Sequence, residues 1–266
     1  MSRVVLVTGS SAGLGKATAD LLSTQGWTVI GASRRGGAGA GWAGGLVMDV
    51  DDDESVSRGV DRIITDHGRI DAIVTAAGWG LAGPVETTSI DEAKSQVETN
   101  FWGAVRVVTA ALPHMRAQGG GRLVLISSIG GLIAVPFQAY YSASKFALEG
   151  WAEAMAYEIA PYNIDVTLIE PGNFRTDFTA SRRENAEPPG DYEVAYRHAL
   201  DVMEHDELNG APPAQVAQLI SKQLTAKRPR RRISVGKSGE RVGLVAKRVL
   251  PHNLFEMAAK DALGVE

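Results

Sequence analysis

Six short runs of almost uninterrupted apolar residues recur along the chain: Val4 to Val7, Thr28 to Ala32, Leu46 to Val50, Asp71 to Thr75, Arg122 to Ser127 and Ile164 to Ile169. A strand with one wet face alternates apolar and polar residues, whereas a strand covered on both faces does not. Runs of this kind therefore read as central strands of a parallel sheet. Parallel neighbours must be joined by crossovers of a dozen or more residues, and most of the intervening segments are long enough to supply a helix. The alternation βαβα predicts an α/β fold with a doubly wound parallel sheet and helices on both faces.

At 266 residues, with 44% apolar and 22% charged residues, the chain suits one large globular domain spanning 1–266. A formal net charge of −4 argues against nucleic acid as the main partner. The basic run Lys227-Arg228-Pro229-Arg230-Arg231-Arg232 is the exception, open to a phosphate-binding or targeting role or to a plain solvated face. The absence of cysteine excludes disulfides and thiolate nucleophiles, and the five scattered histidines have no metal-ligand spacing, so no metal is expected. No apolar stretch is long enough to span a bilayer. Only Met1-Ser2-Arg3 precede the first run, too few for a signal peptide, so a cytoplasmic location is expected. Gly36 to Gly45 reads as a glycine-rich loop. Residues 173–213, with Pro188-Pro189-Gly190, many charges and isolated aromatics, read as a functional surface loop, and 227–266 as a C-terminal extension.

The segment Thr8-Gly9-Ser10-Ser11-Ala12-Gly13-Leu14-Gly15 follows the first run and opens a helix-like stretch whose apolar face includes Leu14, Ala17, Leu21 and Leu22. Glycine lets the backbone turn tightly and approach a pyrophosphate, and a helix N-terminus presents free N–H groups and a positive dipole end. Alone, Gly-x-x-x-Gly-x-Gly is a glycine-rich turn. Its place between strand and helix makes it the phosphate cradle of a Rossmann-type dinucleotide-binding domain, with Gly9, Ser11, Gly13, Leu14 and Gly15 in contact with the cofactor. An acidic residue closing the second strand would select NAD. Ser33-Arg34-Arg35 stands there instead, and two guanidiniums suit a 2′-phosphate, which predicts NADP(H), although they also read as solvated loop arginines. Asp49, with Val50 at the end of the third run, is either an adenine-edge acceptor or the cap of the next helix.

Tyr141-Ser142-Ala143-Ser144-Lys145 places a phenol and an ammonium four residues apart, on one face of a helix. Taken with the glycine loop, Ser128 thirteen residues before Tyr141, and Asn100 ahead of a helix-like run from Phe101, the chain resembles the short-chain dehydrogenase/reductase family, motif by motif from residue 3 to about 176. The resemblance implies that Tyr141 is the general acid in reduction and the base in oxidation, and that Ser128 hydrogen-bonds the substrate oxygen. Lys145 would hold the nicotinamide ribose and, with the cationic nicotinamide, depress the Tyr141 pKa; Asn100 would anchor a water that extends the proton relay. Strand alternation allows only one of Ser127 and Ser128 to face the site, and the spacing selects Ser128. Pro171-Gly172 and Thr176 resemble the turn that grips the nicotinamide carboxamide. One motif departs: Thr75-Ala76-Ala77-Gly78 replaces Asn-Asn-Ala-Gly, which keeps the small residues Ala77 and Gly78 beside the adenosine but removes two amides that brace the sheet.

Arg228-Pro229-Arg230, Ile233-Ser234-Val235-Gly236 and Leu250-Pro251 resemble the C-terminal region of the 17β-hydroxysteroid and retinol dehydrogenase-like branch. That resemblance puts the basic run beside the last strand and implies an apolar carbonyl or alcohol as the small-molecule substrate. Phe174, Phe178, Tyr192, Tyr196 and Met203 on one side, and Trp79, Leu81, Ile129, Leu132 and Phe137 on the other, would wall an apolar cleft, unless they only pack the loop onto the body. Ala147, Gly150 and Ala154, beside Trp151 and Met155, suit close helix packing in a homodimer or homotetramer. Three functional readings follow: an NADP(H)-dependent carbonyl reductase or alcohol dehydrogenase, an acyl-thioester 3-ketoreductase, and a non-catalytic dinucleotide-binding regulator. The presence of Asn100, Ser128, Tyr141 and Lys145 together favours catalysis.

Overall fold

The computed structural model describes residues 2–37, 39–184 and 190–262. Its elements run β1 (Val4–Thr8), α1 (Gly13–Thr24), β2 (Thr28–Ser33), β3 (Gly44–Val47), α2 (Asp53–His67), β4 (Ala72–Thr75), β5 (Leu81–Ala82), α3 (Ile90–Val97), α4 (Gly103–Ala117) and β6 (Gly121–Ile126). There follow α5 (Ala139–Ile159), β7 (Ile164–Pro171), α6 (Phe178–Ser181), β8 (Arg183–Glu184), α7 (Gly190–Leu208), α8 (Ala214–Thr225), β9 (Arg232–Val235), α9 (Ser238–Val249) and α10 (His252–Ala262). Seven strands form one sheet in the order β3-β2-β1-β4-β6-β7-β9, all parallel; six correspond to the apolar runs and β9 is the seventh.

Alternate residues of each strand face opposite helix layers. Val4 and Leu6 of β1 pack with Val60 and Ile63 of α2, Val107 of α4 and Leu148 of α5. Val5 and Val7 pack with Ala19 and Leu22 of α1 and Ile220 and Leu224 of α8. Every residue of β1 and β4 is buried, which is why both strands are apolar up to their terminal threonines, Thr8 and Thr75. The order reverses at β1, between β2 on one side and β4 on the other, and the crevice beyond the strand C-termini at such a switch point is where open α/β sheets bind ligands.

Two segments differ from expectation. The third strand spans Gly44–Val47 rather than Leu46 to Val50, because its register on β2 pairs Ile30 with Gly44 and Ser33 with Val47. Asp49 and Val50 thus lie beyond the strand end, and two glycines assigned to the loop belong to the strand. Residues 173–213 are mostly helical: α7 alone spans 19 residues and buries Tyr196, Ala199 and Leu200 at helical spacing, while its other faces carry the charges that obscured the periodicity. Pro188 and Pro189 lie outside the described residues. No helix among the described residues is long and apolar enough to cross a membrane.

Candidate active site

A cavity of about 1370 Å³ opens at the C-terminal ends of the sheet strands, more than the ~300–1,000 Å³ usual for one small-molecule site. It is lined by Gly9, Ser11, Gly13 and Leu14 from the glycine loop, and by Ser33, Arg34 and Arg35 after β2. Asp49, Val50, Ala77, Gly78, Asn100, Ser128, Tyr141, Lys145, Pro171, Gly172 and Thr176 complete the set drawn from the sequence. Gly15 alone of that set is absent from the lining. It packs α1 onto the preceding turn, where a Cβ would overlap the Gly9 carbonyl.

The phosphate end is built from backbone. Gly9 has φ +64°, and a Cβ there would lie 2.6 to 2.7 Å from the Ala76–Ala77 peptide, so only glycine permits this approach of β1 to β4. Ala12 occupies the N-cap of α1 and has no side-chain acceptor, which leaves the first-turn N–H groups uncapped at the cavity. Thr8 compensates for the missing amides of the departing motif: its hydroxyl accepts from the Ala76 and Ala77 amides at 3.2 and 3.3 Å. Asp49 does not cap α2; Asp52 does, accepting from Ser55 N at 2.7 Å. Asp51, which the sequence reading passed over, also lines the cavity. Burial raises its pKa, and its Oδ2 accepts from Thr99 Oγ1 at 2.8 Å.

At the other end, α5 carries Tyr141 and Lys145 one turn apart. Lys145 Nζ lies 5.9 Å from the Tyr141 ring centre and donates to the Ile126 carbonyl at 2.8 Å. Burial pushes the Tyr141 phenol up to about 12, with the Ser128 hydroxyl opposing the shift, and pulls the Lys145 ammonium down to about 8. Ser128 is extended at the end of β6; its Oγ accepts from Gly130 N at 2.9 Å and reaches the Pro171 carbonyl at 3.4 Å. Ser127 is buried. Asn100 sits in a π-turn, Glu98–Trp102, between α3 and α4, an irregularity common at functional sites. Its Oδ1 accepts from Trp79 N at 3.0 Å, and its Nδ2 donates to the Trp79 carbonyl at 3.0 Å and Ser144 Oγ at 3.2 Å.

A profile of the short chain dehydrogenase family matches residues 3–187. The chain belongs to this family. Among relatives, a 3-ketodihydrosphingosine reductase of Bacteroides thetaiotaomicron is 39% identical over 97% of both chains. Retinol dehydrogenase 8 of Bos taurus is 36% identical over 85% of this chain and 79% of its own. A short-chain dehydrogenase of Streptomyces avermitilis superposes with a TM-score of 0.84 at 31% identity, covering 98% of each chain. The family acts on CH–OH and C=O groups with a nicotinamide dinucleotide, and the glycine cradle with its uncapped helix end fits that cofactor.

This short-chain dehydrogenase also has cavity walls that differ from the expected ones. Phe174, Phe178, Met203, Trp79 and Ile129 line the cavity as anticipated. Tyr196 and Phe137 instead meet edge to face, ring centres 5.4 Å apart, in a separate small cluster with Ala82 and Leu200. Tyr192 is solvent-facing and donates to Glu86 at 2.9 Å; Leu81 and Leu132 do not reach the cavity either. In their place stand Val242, Gly243 and Ala246 of α9 and Phe255, Ala258 and Ala259 of α10. The sequence reads this region only as a C-terminal extension, and nothing local in it says that α9 folds back over the strand ends. The basic run is structural where it meets the sheet: the Arg230 and Arg231 carbonyls accept from Thr167 Oγ1 and Leu168 N at 2.8 Å each. No group of metal-ligating side chains occurs among the described residues.

Proposed function

We propose that the protein is an NADP(H)-dependent oxidoreductase that interconverts a bulky apolar ketone or aldehyde and its alcohol. The observation that carries this reading is the convergence of Ser128, Tyr141 and Lys145 in a cavity whose far wall is apolar, with Phe178, Ile129, Met203, Val242, Ala246 and Phe255. When bound, the nicotinamide supplies the hydride acceptor or donor. Ser128 Oγ and the Tyr141 phenol orient the substrate oxygen, and Tyr141 gives up its proton to that oxygen during reduction. The Lys145 ammonium makes the phenolate easier to form, offsetting the burial that raises the Tyr141 pKa. Phe178, whose ring centre is 5.7 Å from that of Tyr141, helps exclude water from the reacting oxygen.

Arg34 and Arg35 support NADP(H): both are exposed at the cavity lining beyond β2, and the second strand itself ends in Ser33 rather than in a carboxylate. The relatedness to a 3-ketodihydrosphingosine reductase over nearly the whole chain supports reduction of a ketone. The proposed assembly is a homodimer or homotetramer, formed through the exposed small and aromatic residues of α5. Met155 takes no part in that face, being buried in the core.

A series of ketones of increasing apolar size, assayed with NADPH, tests the substrate class. Rising kcat/KM with apolar size is expected. Preference for small polar carbonyls would overturn the apolar class, and preference for phosphopantetheine-linked 3-ketoacyl substrates would assign the protein to acyl-thioester reduction.

A further inference from the structure

Lys145 has charged company that the proposed reaction leaves out. Glu149 lies one turn further along α5 and is buried, yet neither carboxylate oxygen has a hydrogen-bond partner. Ser127 Oγ faces it, also buried and outside hydrogen-bonding geometry. Glu170 of β7 is buried beside them, taking a hydrogen bond from the Ser234 hydroxyl of β9 on Oε2 and leaving Oε1 unpartnered. Arg232, the last residue of the basic run and the first of β9, closes the group: its Nε is 3.2 Å from Glu149 and 4.0 Å from Glu170, and its Nη2 is 2.7 Å from Glu153. The same cluster abuts the site, because a Cβ at Gly131 would lie 3.0 Å from both Ser127 Oγ and Lys145 Cβ.

A buried carboxylate without hydrogen bonds is costly unless opposite charge compensates it. Here the compensation comes from two cations, Lys145 on one side and Arg232 on the other. The relation is reciprocal. Lys145 makes no ion pair among the described residues, its hydrogen bond goes to a neutral carbonyl, and the charged group acting on it is Glu149. Arg232, 37% exposed, tethers the carboxylate from the solvent side and reaches Lys145 only through it.

We propose that Glu149, anchored by Arg232, is a positioning residue of the reaction: its carboxylate is the buried counter-charge that keeps Lys145 an ammonium beside Tyr141. Burial, helped by the neighbouring Glu170 carboxylate, pushes Glu149 up to about 7 against the opposing Ser127 hydroxyl, Arg232 and Lys145, so the cluster sits near the point where losing one partner neutralises another. The inference rests on Tyr141 and Lys145 as the proton-transfer pair.

Two readouts test it. In alcohol oxidation the acid limb of kcat/KM reports Tyr141 losing its proton and the alkaline limb reports Lys145 losing its own. Glu149→Gln should move the alkaline limb down by at least about half a pH unit, as expected for removal of a close opposite charge from Lys145, and should not lower kcat/KM through the acid limb, where Lys145 remains an ammonium. Glu149→Asp should restore part of the width. Arg232→Gln leaves Glu149 unpaired and protonated at neutral pH, so it should narrow the profile in the same sense by a smaller amount. The substrate-free readout is phenolate absorbance of the NADP+-bound protein, with Tyr141→Phe as the baseline; in the pH window between the lowered Lys145 pKa of the variants and its wild-type value of about 8, Tyr141 should be less ionised in Glu149→Gln and Arg232→Gln than in the wild type. A lower melting temperature with unmoved limbs and an unmoved phenolate titration would show a merely structural role and overturn the proposal. Should Glu149→Gln fail to fold, Arg232→Gln decides, its side chain lying partly in solvent. Should the wild-type protein oxidise no alcohol, the proposed function fails, while the phenolate titration still decides the role of Glu149.

Discussion

Burial disfavours the charged form of both Tyr141 and Lys145, raising the Tyr141 phenol to about 12 and lowering the Lys145 ammonium to about 8. Lys145 carries its proton below its shifted pKa of about 8 and loses it above, so kcat/KM for carbonyl reduction should fall as pH rises through that value, read from initial rates across neutral to alkaline pH. Tyr141→Phe keeps the ring that packs on Phe178 and removes only the transferable proton. It should bind NADPH nearly as wild type in fluorescence titrations and lose at least about a hundredfold in kcat/KM, the lower range for a positioned general acid; retention of a tenth of the rate would refute the assignment. Ser33 illustrates a residue whose part is local: its hydroxyl donates to the Gly36 carbonyl at 2.7 Å and shapes the turn that presents Arg34. Ser33→Asp with Arg34→Ala adds repulsion and removes a phosphate partner, so the ratio of kcat/KM for NADPH over NADH should invert.

Elements meet at the site through few contacts, and Glu240 is one of them. Its carboxylate accepts from Asn173 N after β7 at 2.9 Å and from Lys237 N at the start of α9 at 2.7 Å, which ties the Pro171-Gly172 turn to the C-terminal helices. A Cβ at Gly172 would overlap that carboxylate. Gly172→Ala should therefore displace α9, raising the KM for NADPH about tenfold or more and lowering the melting temperature, whereas Gly150→Ala, where a Cβ meets nothing within 4 Å, should do neither. Since α7 and α9 both line the cavity, amide exchange in residues 190–208 and 238–249 should slow when NADPH and a ketone bind together. Identical exchange with and without ligands would mean that these helices are a fixed wall. At this scale the sequence is legible only in part: charges surround the apolar stripe of α7 and mask its period, and edge pairing, not hydropathy, sets the ends of β3.

For the molecule as a whole, α5 is the element that serves two sides. One face carries Tyr141, Lys145 and Glu149 into the interior, and the opposite face exposes Phe146, Gly150, Ala154 and Tyr157. A helix face with exposed aromatics beside small residues suits packing against a second copy, and light scattering should return the mass of a dimer or tetramer. Gly150→Arg places a bulky charge at the centre of that face and should shift the mass to that of a monomer; an unchanged mass would place the interface elsewhere.

The parallel sheet, the glycine cradle and the pairing of Tyr141 with Lys145 were legible in the sequence because each is a local pattern: unbroken apolar runs demand double-sided burial, and helix periodicity puts i and i+4 side by side; Ser128 came with the family resemblance alone. Even the unusual Thr75-Ala76-Ala77-Gly78 was visible as a departure, although only the fold shows Thr8 taking over its bracing hydrogen bonds. What depends on distant segments meeting was not legible. That Tyr196 and Phe137 face each other rather than the cavity, that α9 and α10 close its apolar end, and that Arg232 reaches Glu149 across 83 residues of chain are decided by packing, because burial and ion pairing act between neighbours in space, whatever their separation in sequence.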